Sequence, residues 1–329
     1  MIDPMRESIL NFNKQFLFKP EIINLNKISN YKKVVLIGMG GSHLASDLVN
    51  YFTPNHNLII HSDYGLPNLE SRGIKNSEVL FIFSSYSGNT EEVLDSYNEL
   101  KKRGGLGVVI ASGGKLLENA KRDKSPYIAL PSISIQPRMA LGYSLIALYT
   151  LLNDKTAIRD LIKMSQSLSQ DKYETKGKVI AKNLLNKNPI IYSNHKNQIL
   201  AHMAKIIFNE TAKIPAFNNI FPESNHNELA GFSYATKNNL LTNHYTFLML
   251  RDESESIRVL KRFKVFQIIM KDRGGNFIDY ELKKRENKFS SSFEFILTIS
   301  WAAHELAQYY KHDPNVVPFI EEFKSLLRK

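Results

Sequence analysis

Phe81-Ile82-Phe83-Ser84-Ser85-Tyr86-Ser87-Gly88-Asn89-Thr90-Glu91-Glu92 is the stretch on which the reading of the fold turns. Val79–Phe83 is a short apolar, β-rich run, the pattern of a buried strand. Ser84–Thr90 is almost wholly hydroxyl-bearing, with one glycine and one amide. Glu91 and Glu92, followed by Val93, Leu94, Tyr97 and Leu100, have the acidic first turn and apolar spacing of a helix. The stretch therefore predicts a strand, a tight turn at Gly88 and an opening helix. Such a place collects unpaired backbone N–H groups and suits an anion. Ser85, Ser87 and Thr90 add donors without charge, which points to a cradle for the phosphate of a small ligand. The competing reading is that Thr90 or Asn89 merely caps the helix.

The same grammar recurs on either side. Val34-Val35-Leu36-Ile37 predicts a buried strand, Gly38-Met39-Gly40-Gly41-Ser42 a glycine turn, and Leu44, Leu48 and Tyr51 a helix. Leu58–Ile60, Gly107–Ala111 and Tyr127–Leu130 supply further strands, and Met139–Leu152 an apolar helix. A second series starts at Asn188–Tyr192, with strands also expected at Ile214–Phe217, Leu240–Leu250, Val265–Met270 and Phe277–Leu282. A long helix over Phe293–Tyr310 carries the single tryptophan, Trp301. Alternating strands and helices imply parallel sheets sandwiched between helices. The expected organisation is a helical lead-in over 1–30, one α/β unit over 31–152, a helical linker region over 153–178 and a second unit over 179–329.

Composition narrows the function classes. At 329 residues the chain has material for two medium domains. It has no cysteine, which excludes disulfides and thiolate metal sites and leans towards a reducing, cytoplasmic setting. The first residues lack the basic flank and apolar core of a signal peptide. Met139–Leu152 is too short to span a bilayer, so a soluble protein without membrane partners is expected. The net charge of +11 raises nucleic-acid binding. The lysines are scattered, however, and the aromatics fall inside apolar patterns, so no nucleic-acid partner is expected and solvated surface accounts for the charge.

Several residues stand out as chemistry-bearing. Gly38-Met39-Gly40 resembles the start of a dinucleotide fingerprint with Asp63 downstream, but His43 occupies the third glycine position. Gly-x-Gly-Gly-Ser fits close backbone approach to a compact anion better. On the helix expected over Gln198–Ala212, Glu210 continues the stripe of Ile199, Met203 and Ile206. A carboxylate there is either a proton shuttle or the ion-pair partner of Lys205, Lys213 or a group from elsewhere in the chain. His226, in the polar loop Phe221–Glu228, is an acid or base near neutral pH or a satisfied loop histidine. Arg138, after Pro137, either stabilises developing negative charge or pairs with a carboxylate. No histidine pair at metal-ligand spacing occurs, and no Gly-x-Ser-x-Gly elbow.

In order and spread, Gly40-Gly41-Ser42, Ser85–Thr90, Pro137-Arg138, Asn209–Lys213, Glu223–Glu228 and His312-Asp313-Pro314 make the chain resemble the sugar isomerase (SIS) superfamily. Within it, the Ser-Asn-His-Asn-Glu piece and its distance from Glu210 resemble the bifunctional phosphoglucose/phosphomannose isomerases. The resemblance implies two tandem SIS domains, each a three-layer α/β/α sandwich with a mainly parallel sheet, and a homodimer with shared active sites. It implies that Gly41, Ser42, Ser85, Ser87, Thr90 and Arg138 hold a phosphorylated hexose. Glu210 would carry the proton between C1 and C2, Arg138 would stabilise the enediolate, and His226 of the neighbouring subunit would help open the ring. A lysine assists ring opening in the family, and Lys324 matches it. No cofactor and no metal are implied. Asn315 follows Pro314 where the family often carries a threonine, a departure that bears on acceptance of the C2 epimer. The alternatives are a non-catalytic phosphosugar-binding SIS protein, which needs the cradle but not Glu210, His226 and Arg138 together, and a nicotinamide enzyme.

Overall fold

A computed structural model describes residues 3–28, 31–133, 135–234, 236 and 243–327. The chain forms two compact units, Asn11–Ser167, and Leu168–Lys329 joined by Met1–Leu10. The lead-in and the helical region around 153–178 are thus each divided: the helix α1 (Pro4–Leu10) belongs with the later residues, and Phe12–Leu17 forms a 3-10 turn of the earlier ones.

In the Asn11–Ser167 unit, five parallel strands lie in the order β2-β1-β3-β4-β5. They are β1 (Lys33–Gly38), β2 (Ile59–His61), β3 (Val79–Ser84), β4 (Gly107–Ala111) and β5 (Tyr127–Ala129). The helices are α2 (Leu44–Phe52), α3 (Glu91–Lys102), α4 (Gly114–Arg122), α5 (Leu141–Leu151) and α6 (Lys155–Gln166). Alternation along the strands sorts the core. Val35, Ile37, Phe81, Phe83, Val109 and Ala111 bury one face against Val93, Tyr97 and Leu100 of α3 and Leu116, Leu117 and Ala120 of α4. Val34, Leu36, Leu80, Ile82, Val108 and Ile110 are buried on the other face, the side of the paired helices α2 and α5. Both faces being covered explains why the strands read as unbroken apolar runs.

This strand order reverses between β1 and β3, which pair directly with Gly38 beside Ser84. In open α/β sheets the crevice outside such a switch point, at the carboxyl ends of the strands, is where ligands bind. The two turns singled out in the sequence, after β1 and after β3, meet there.

The second unit has four parallel strands in the order β7-β6-β8-β9: β6 (Asn188–Asn194), β7 (Phe217–Phe221), β8 (Tyr245–Asp252) and β9 (Asn276–Leu282). Helix α7 (Gln170–Leu184) packs along the helix Ser290–Tyr310. Gly177 permits their close crossing, since a Cβ there would lie 2.5 Å from Trp301 Cβ. Helix α8 (Gln198–Ile207) covers β6 and β7. Asp3, at the foot of α1, fastens the N-terminal segment to this unit. Its Oδ2 lies 2.6 Å from His304 Nε2, and its Oδ1 accepts from Asn315 Nδ2 at 3.1 Å. Burial opposes the Asp3 charge, but the Asn315 and His304 bonds more than offset it and hold the carboxyl below its usual range.

Two expected strands differ. Val265–Met270 lies inside a helix, Ile257–Asp272, because Phe263, Phe266 and Met270 recur at helical spacing and pack into the aromatic core with Tyr192, Phe221 and Phe247. The β-branched run that suggested a strand sits on that helix's outer side, where Val265, Ile268 and Ile269 are exposed. Ile214–Phe217 falls short of the edge strand, which begins at Phe217. Residues 240–242, placed in a strand by the sequence, lie outside the described residues.

Candidate active site

The cradle is built from two turns at the β1/β3 switch point. After β1, Gly40–Ser42 forms a 3-10 turn, with Gly40 at φ +51°. Ser42 is buried, and its Oγ accepts the Tyr86 N–H at 3.0 Å. Ser84 Oγ donates to the Ser42 carbonyl at 3.0 Å. The first turn is therefore tied to the second by two hydrogen bonds through Ser42. After β3, Ser85 is buried, and its Oγ accepts from Gly88 N–H at 3.1 Å and lies 2.8 Å from Thr90 Oγ1. Ser87 is exposed, and its Oγ accepts from Asn89 N–H at 3.3 Å.

The capping alternative resolves against itself here. Thr90 occupies the N-cap of α3 in extended conformation, but its side chain makes no capping hydrogen bond. Its hydroxyl turns to Ser85 instead. Asn89 does accept a helix-start N–H, yet it is that of Lys115 in α4 at 3.1 Å, not one of its own helix. The opening amides of α3 take no side-chain cap from Thr90 and stay available to an anion, although Glu91 and Glu92 lie in the same first turn.

Backbone crowding explains the glycines. Gly88 has φ +68°, and a Cβ there would come 1.8 Å from the Gly113 carbonyl oxygen. A Cβ at Gly41 would lie 2.8 Å from the Arg138 backbone nitrogen. The 3-10 turn Pro137–Met139 thus seats Arg138 beside the first turn. Arg138 is buried at 4 % exposure, and its Nη1 donates to Gln136 Oε1 at 3.5 Å.

Sequence reasoning passed over a third turn, Ser112-Gly113-Gly114 after β4. Ser112 Oγ and N–H both donate to the Tyr86 carbonyl, at 2.6 and 2.9 Å, and a Cβ on Gly114 would meet the Ser87 carbonyl at 2.4 Å. This turn buttresses the cradle from behind. It repeats the strand, glycine and helix pattern that marked the other two, and that pattern was its signal. Tyr86 adds a strut, its hydroxyl lying 3.0 Å from the Pro131 carbonyl oxygen and 3.2 Å from that of Ile133. Burial pushes its phenol up, so it remains a neutral donor.

Gly41, Ser42, Ser85, Ser87, Thr90 and Arg138 are thus gathered in the Asn11–Ser167 unit, and Glu210, His226 and Lys324 lie in the other. Glu210 is half-buried in a π-helical turn, Phe208–Ala212, that continues α8. Single π turns are frequent at functional sites. The buried stripe is Leu200, Ala204, Ile207 and Thr211, so Glu210 stands at its border rather than continuing it. The turn is held on several sides. Asn209 Oδ1 accepts from Ala216 N–H at 2.9 Å, His312 Nδ1 lies 3.0 Å from the Ala212 carbonyl oxygen, and Lys213 Nζ donates to the Glu210 carbonyl. Lys213 itself caps the turn in the left-handed region at φ +60°. His226 is exposed on the 3-10 turn Glu223–His226. Lys324 is exposed on the helix Pro318–Leu327 and ion-paired to Glu321 at 3.4 Å. Among the described residues, no group of three or more His, Asp or Glu side chains could hold a metal ion, and no helix is long and apolar enough to cross a membrane.

The class follows from this fold. The chain superposes with a TM-score of 0.63 at 15 % identity on the C-terminal domain of a glucosamine-fructose-6-phosphate aminotransferase from Francisella tularensis, covering 94 % of this chain and 95 % of that one. Residues 173–327 match the family described as bacterial phospho-glucose isomerase C-terminal SIS domain. It is an SIS-domain protein of the phosphosugar isomerase type. It is 32 % identical over 98 % of both chains to a bifunctional phosphoglucose/phosphomannose isomerase of Caldicellulosiruptor bescii. It is also 32 % identical over 92 % of both chains to the bifunctional phosphoglucose/phosphomannose isomerase of Aquifex aeolicus. The chain belongs to the bifunctional phosphoglucose/phosphomannose isomerase family.

Proposed function

We propose that this chain interconverts glucose 6-phosphate and mannose 6-phosphate with fructose 6-phosphate, by ring opening and proton transfer through an enediolate. The observation that carries this reading is the end-to-end match to isomerases of that name. The switch-point cradle, with its uncapped helix start, supplies the phosphate grip it requires. Ser42, Ser87, Thr90 and the backbone beside Gly41 face the phosphate, and Ser85 supports Thr90 from within.

In this scheme the Glu210 carboxylate takes the proton from C2 of the open-chain aldose. The C–H electron pair forms the C1–C2 double bond, and negative charge develops on O1, where the Arg138 guanidinium stabilises it. The O2 hydroxyl proton passes to O1, and return of the carbon-bound proton to C1 as O2 becomes the carbonyl gives the ketose. Return to either face of C2 from the ketose gives the two epimeric aldoses. His226, with Lys324, moves protons at O1 and O5 when the ring opens. The conversion is redox-neutral within the sugar and calls for no cofactor. A homodimer in the cytoplasm completes the reading, with His226 supplied across the subunit boundary. Its exposure, and the exposed apolar residues Phe319, Phe323 and Leu326 beside Lys324, support an assembly that covers them.

The test is incubation of the protein with fructose 6-phosphate in deuterated water, followed by NMR. Deuterium at C2 of both glucose 6-phosphate and mannose 6-phosphate is the expected result. Binding without label or product indicates a phosphosugar sensor and overturns the reading.

A further inference from the structure

His226 protrudes from a loop that contains no regular helix or strand, yet a group that moves protons in ring opening must be held to a fraction of an ångström. What holds it is found two residues on either side. Ser224 is fully buried, and its Oγ donates to the Ile220 carbonyl of β7 at 2.8 Å. Glu228 is half-buried and has both carboxylate oxygens engaged: Tyr192 Oη of β6 donates to Oε1 at 2.7 Å, and Asn219 Nδ2 of β7 donates to Oε2. Tyr192 is itself fully buried, stacked on Phe247 and edge-on to Phe221 and Phe266. A carboxylate at the edge of an aromatic cluster is costly unless its oxygens are bonded. Two donors from adjacent strands, the Tyr192 hydroxyl and the Asn219 amide, meet that cost. The following 3-10 turn, Glu228–Phe232, is pressed onto the same cluster by Leu229 and Phe232. The loop is thus clamped to the sheet at both ends, and His226 is among the residues left exposed between the clamps.

We propose that Glu228 is a positioning residue for ring opening, acting through His226 by locking the His226 turn to Tyr192 and Asn219. This rests on the role proposed above for His226. Ring opening breaks the C1–O5 bond as O1–H loses its proton and O5 gains one, with no C–H bond touched. It is therefore read separately from isomerisation, as exchange between the α and β anomers of glucose 6-phosphate.

Glu228→Ala, Tyr192→Phe, His226→Ala and the double variant His226→Ala/Glu228→Ala are compared by NMR exchange spectroscopy of that anomerisation. Inhibition by the five-carbon aldonate 5-phosphate, an acyclic mimic of the enediolate, is measured alongside. The expected result is that Glu228→Ala slows anomerisation by about tenfold to a hundredfold and Tyr192→Phe by a smaller factor, with aldonate inhibition unchanged. Glu228→Ala should add nothing in the His226→Ala background, because its effect runs through that histidine. Tyr192→Phe keeps the buried ring and so reports even if Glu228→Ala fails to fold. If His226→Ala is slow while Glu228→Ala or Tyr192→Phe anomerises at the parental rate, or if their effects multiply with His226→Ala, the positioning role is wrong and the histidine reading stands. If His226→Ala anomerises normally, the histidine reading falls and the positioning role with it.

Discussion

Ser85 Oγ lies 2.8 Å from Thr90 Oγ1 and also accepts the Gly88 N–H. With the Ser85 proton directed at Thr90, the Thr90 hydroxyl is left to donate outwards. A buried serine thus aims a half-buried threonine at the space in front of α3. Thr90→Val deletes that donor and keeps the shape. A hydrogen bond to a charged group contributes about 1.5–3 kcal/mol, so KM for fructose 6-phosphate should rise roughly ten- to hundredfold. A phosphate gripped there as proposed is held alike in ground and transition states, so kcat should stay near the parental value. Steady-state kinetics decide it: a fall in kcat at constant KM contradicts a purely binding role.

Gly88 and Gly104 offer a matched pair. Both have positive φ, +68° and +72°, but a Cβ at Gly88 meets the Gly113 carbonyl at 1.8 Å, whereas at Gly104 it meets nothing within 4 Å. Gly104→Ala should cost only the left-handed conformation, about 1–2 kcal/mol. Gly88→Ala adds a clash with backbone that cannot rotate away, typically a further 1–3 kcal/mol. Thermal unfolding should therefore show the larger drop in Tm for Gly88→Ala, accompanied by loss of activity. Equal drops would mean that the Ser112–Gly114 turn yields easily.

Local chemistry and long-range packing were not equally legible in the sequence. The turn Ser84–Thr90 could be recognised because an apolar strand, one glycine and an acidic helix start all lie within a dozen consecutive residues. The helix Ile257–Asp272 was misread over Val265–Met270 because Val265, Ile268 and Ile269 are apolar on its outer side, which hides the spacing of Phe263, Phe266 and Met270. Nothing local could reveal that Asp3 is held by His304 and Asn315, since that partnership exists only once the chain has folded back on itself. The strand order that brings Gly38 beside Ser84 is likewise a property of pairing. The π turn at Glu210 escaped notice because its residues continue an ordinary helical pattern, and the wider turn arises from contacts made by Asn209, Lys213 and His312.

Asp252, at the end of β8, gives stability a pH dependence. Burial opposes its charge, but Ser254 and the Lys196 ammonium, 2.9 Å away, more than offset this and hold its pKa at about 2. A carboxylate depressed from about 3.9 in the unfolded chain stabilises the fold fully above that value and loses its contribution as pH falls towards 2. The shift corresponds to roughly 2–3 kcal/mol near neutrality. Asp252→Asn should therefore lower the denaturant midpoint at pH 7 and converge with the parent near pH 2. Parallel curves across that range would rule out the ion pair as the source.

Glu210 tests the chemistry itself. Its turn is fixed by Asn209, His312 and its own carbonyl's bond from Lys213, so the backbone has little freedom to follow a shortened side chain. Glu210→Gln keeps the shape and removes the carboxylate proposed as the base, and a positioned general base contributes about 10²–10⁴ in rate. kcat should fall by that order with KM little changed, and exchange of the C2 proton with solvent should fall in step. Glu210→Asp retains a carboxylate but withdraws it by one methylene, which the pinned turn cannot restore, so it too should lose most of its turnover. Anomerisation of glucose 6-phosphate breaks no C–H bond and should persist in both variants. Proton exchange at C2 undiminished in Glu210→Gln would assign the shuttle to another group.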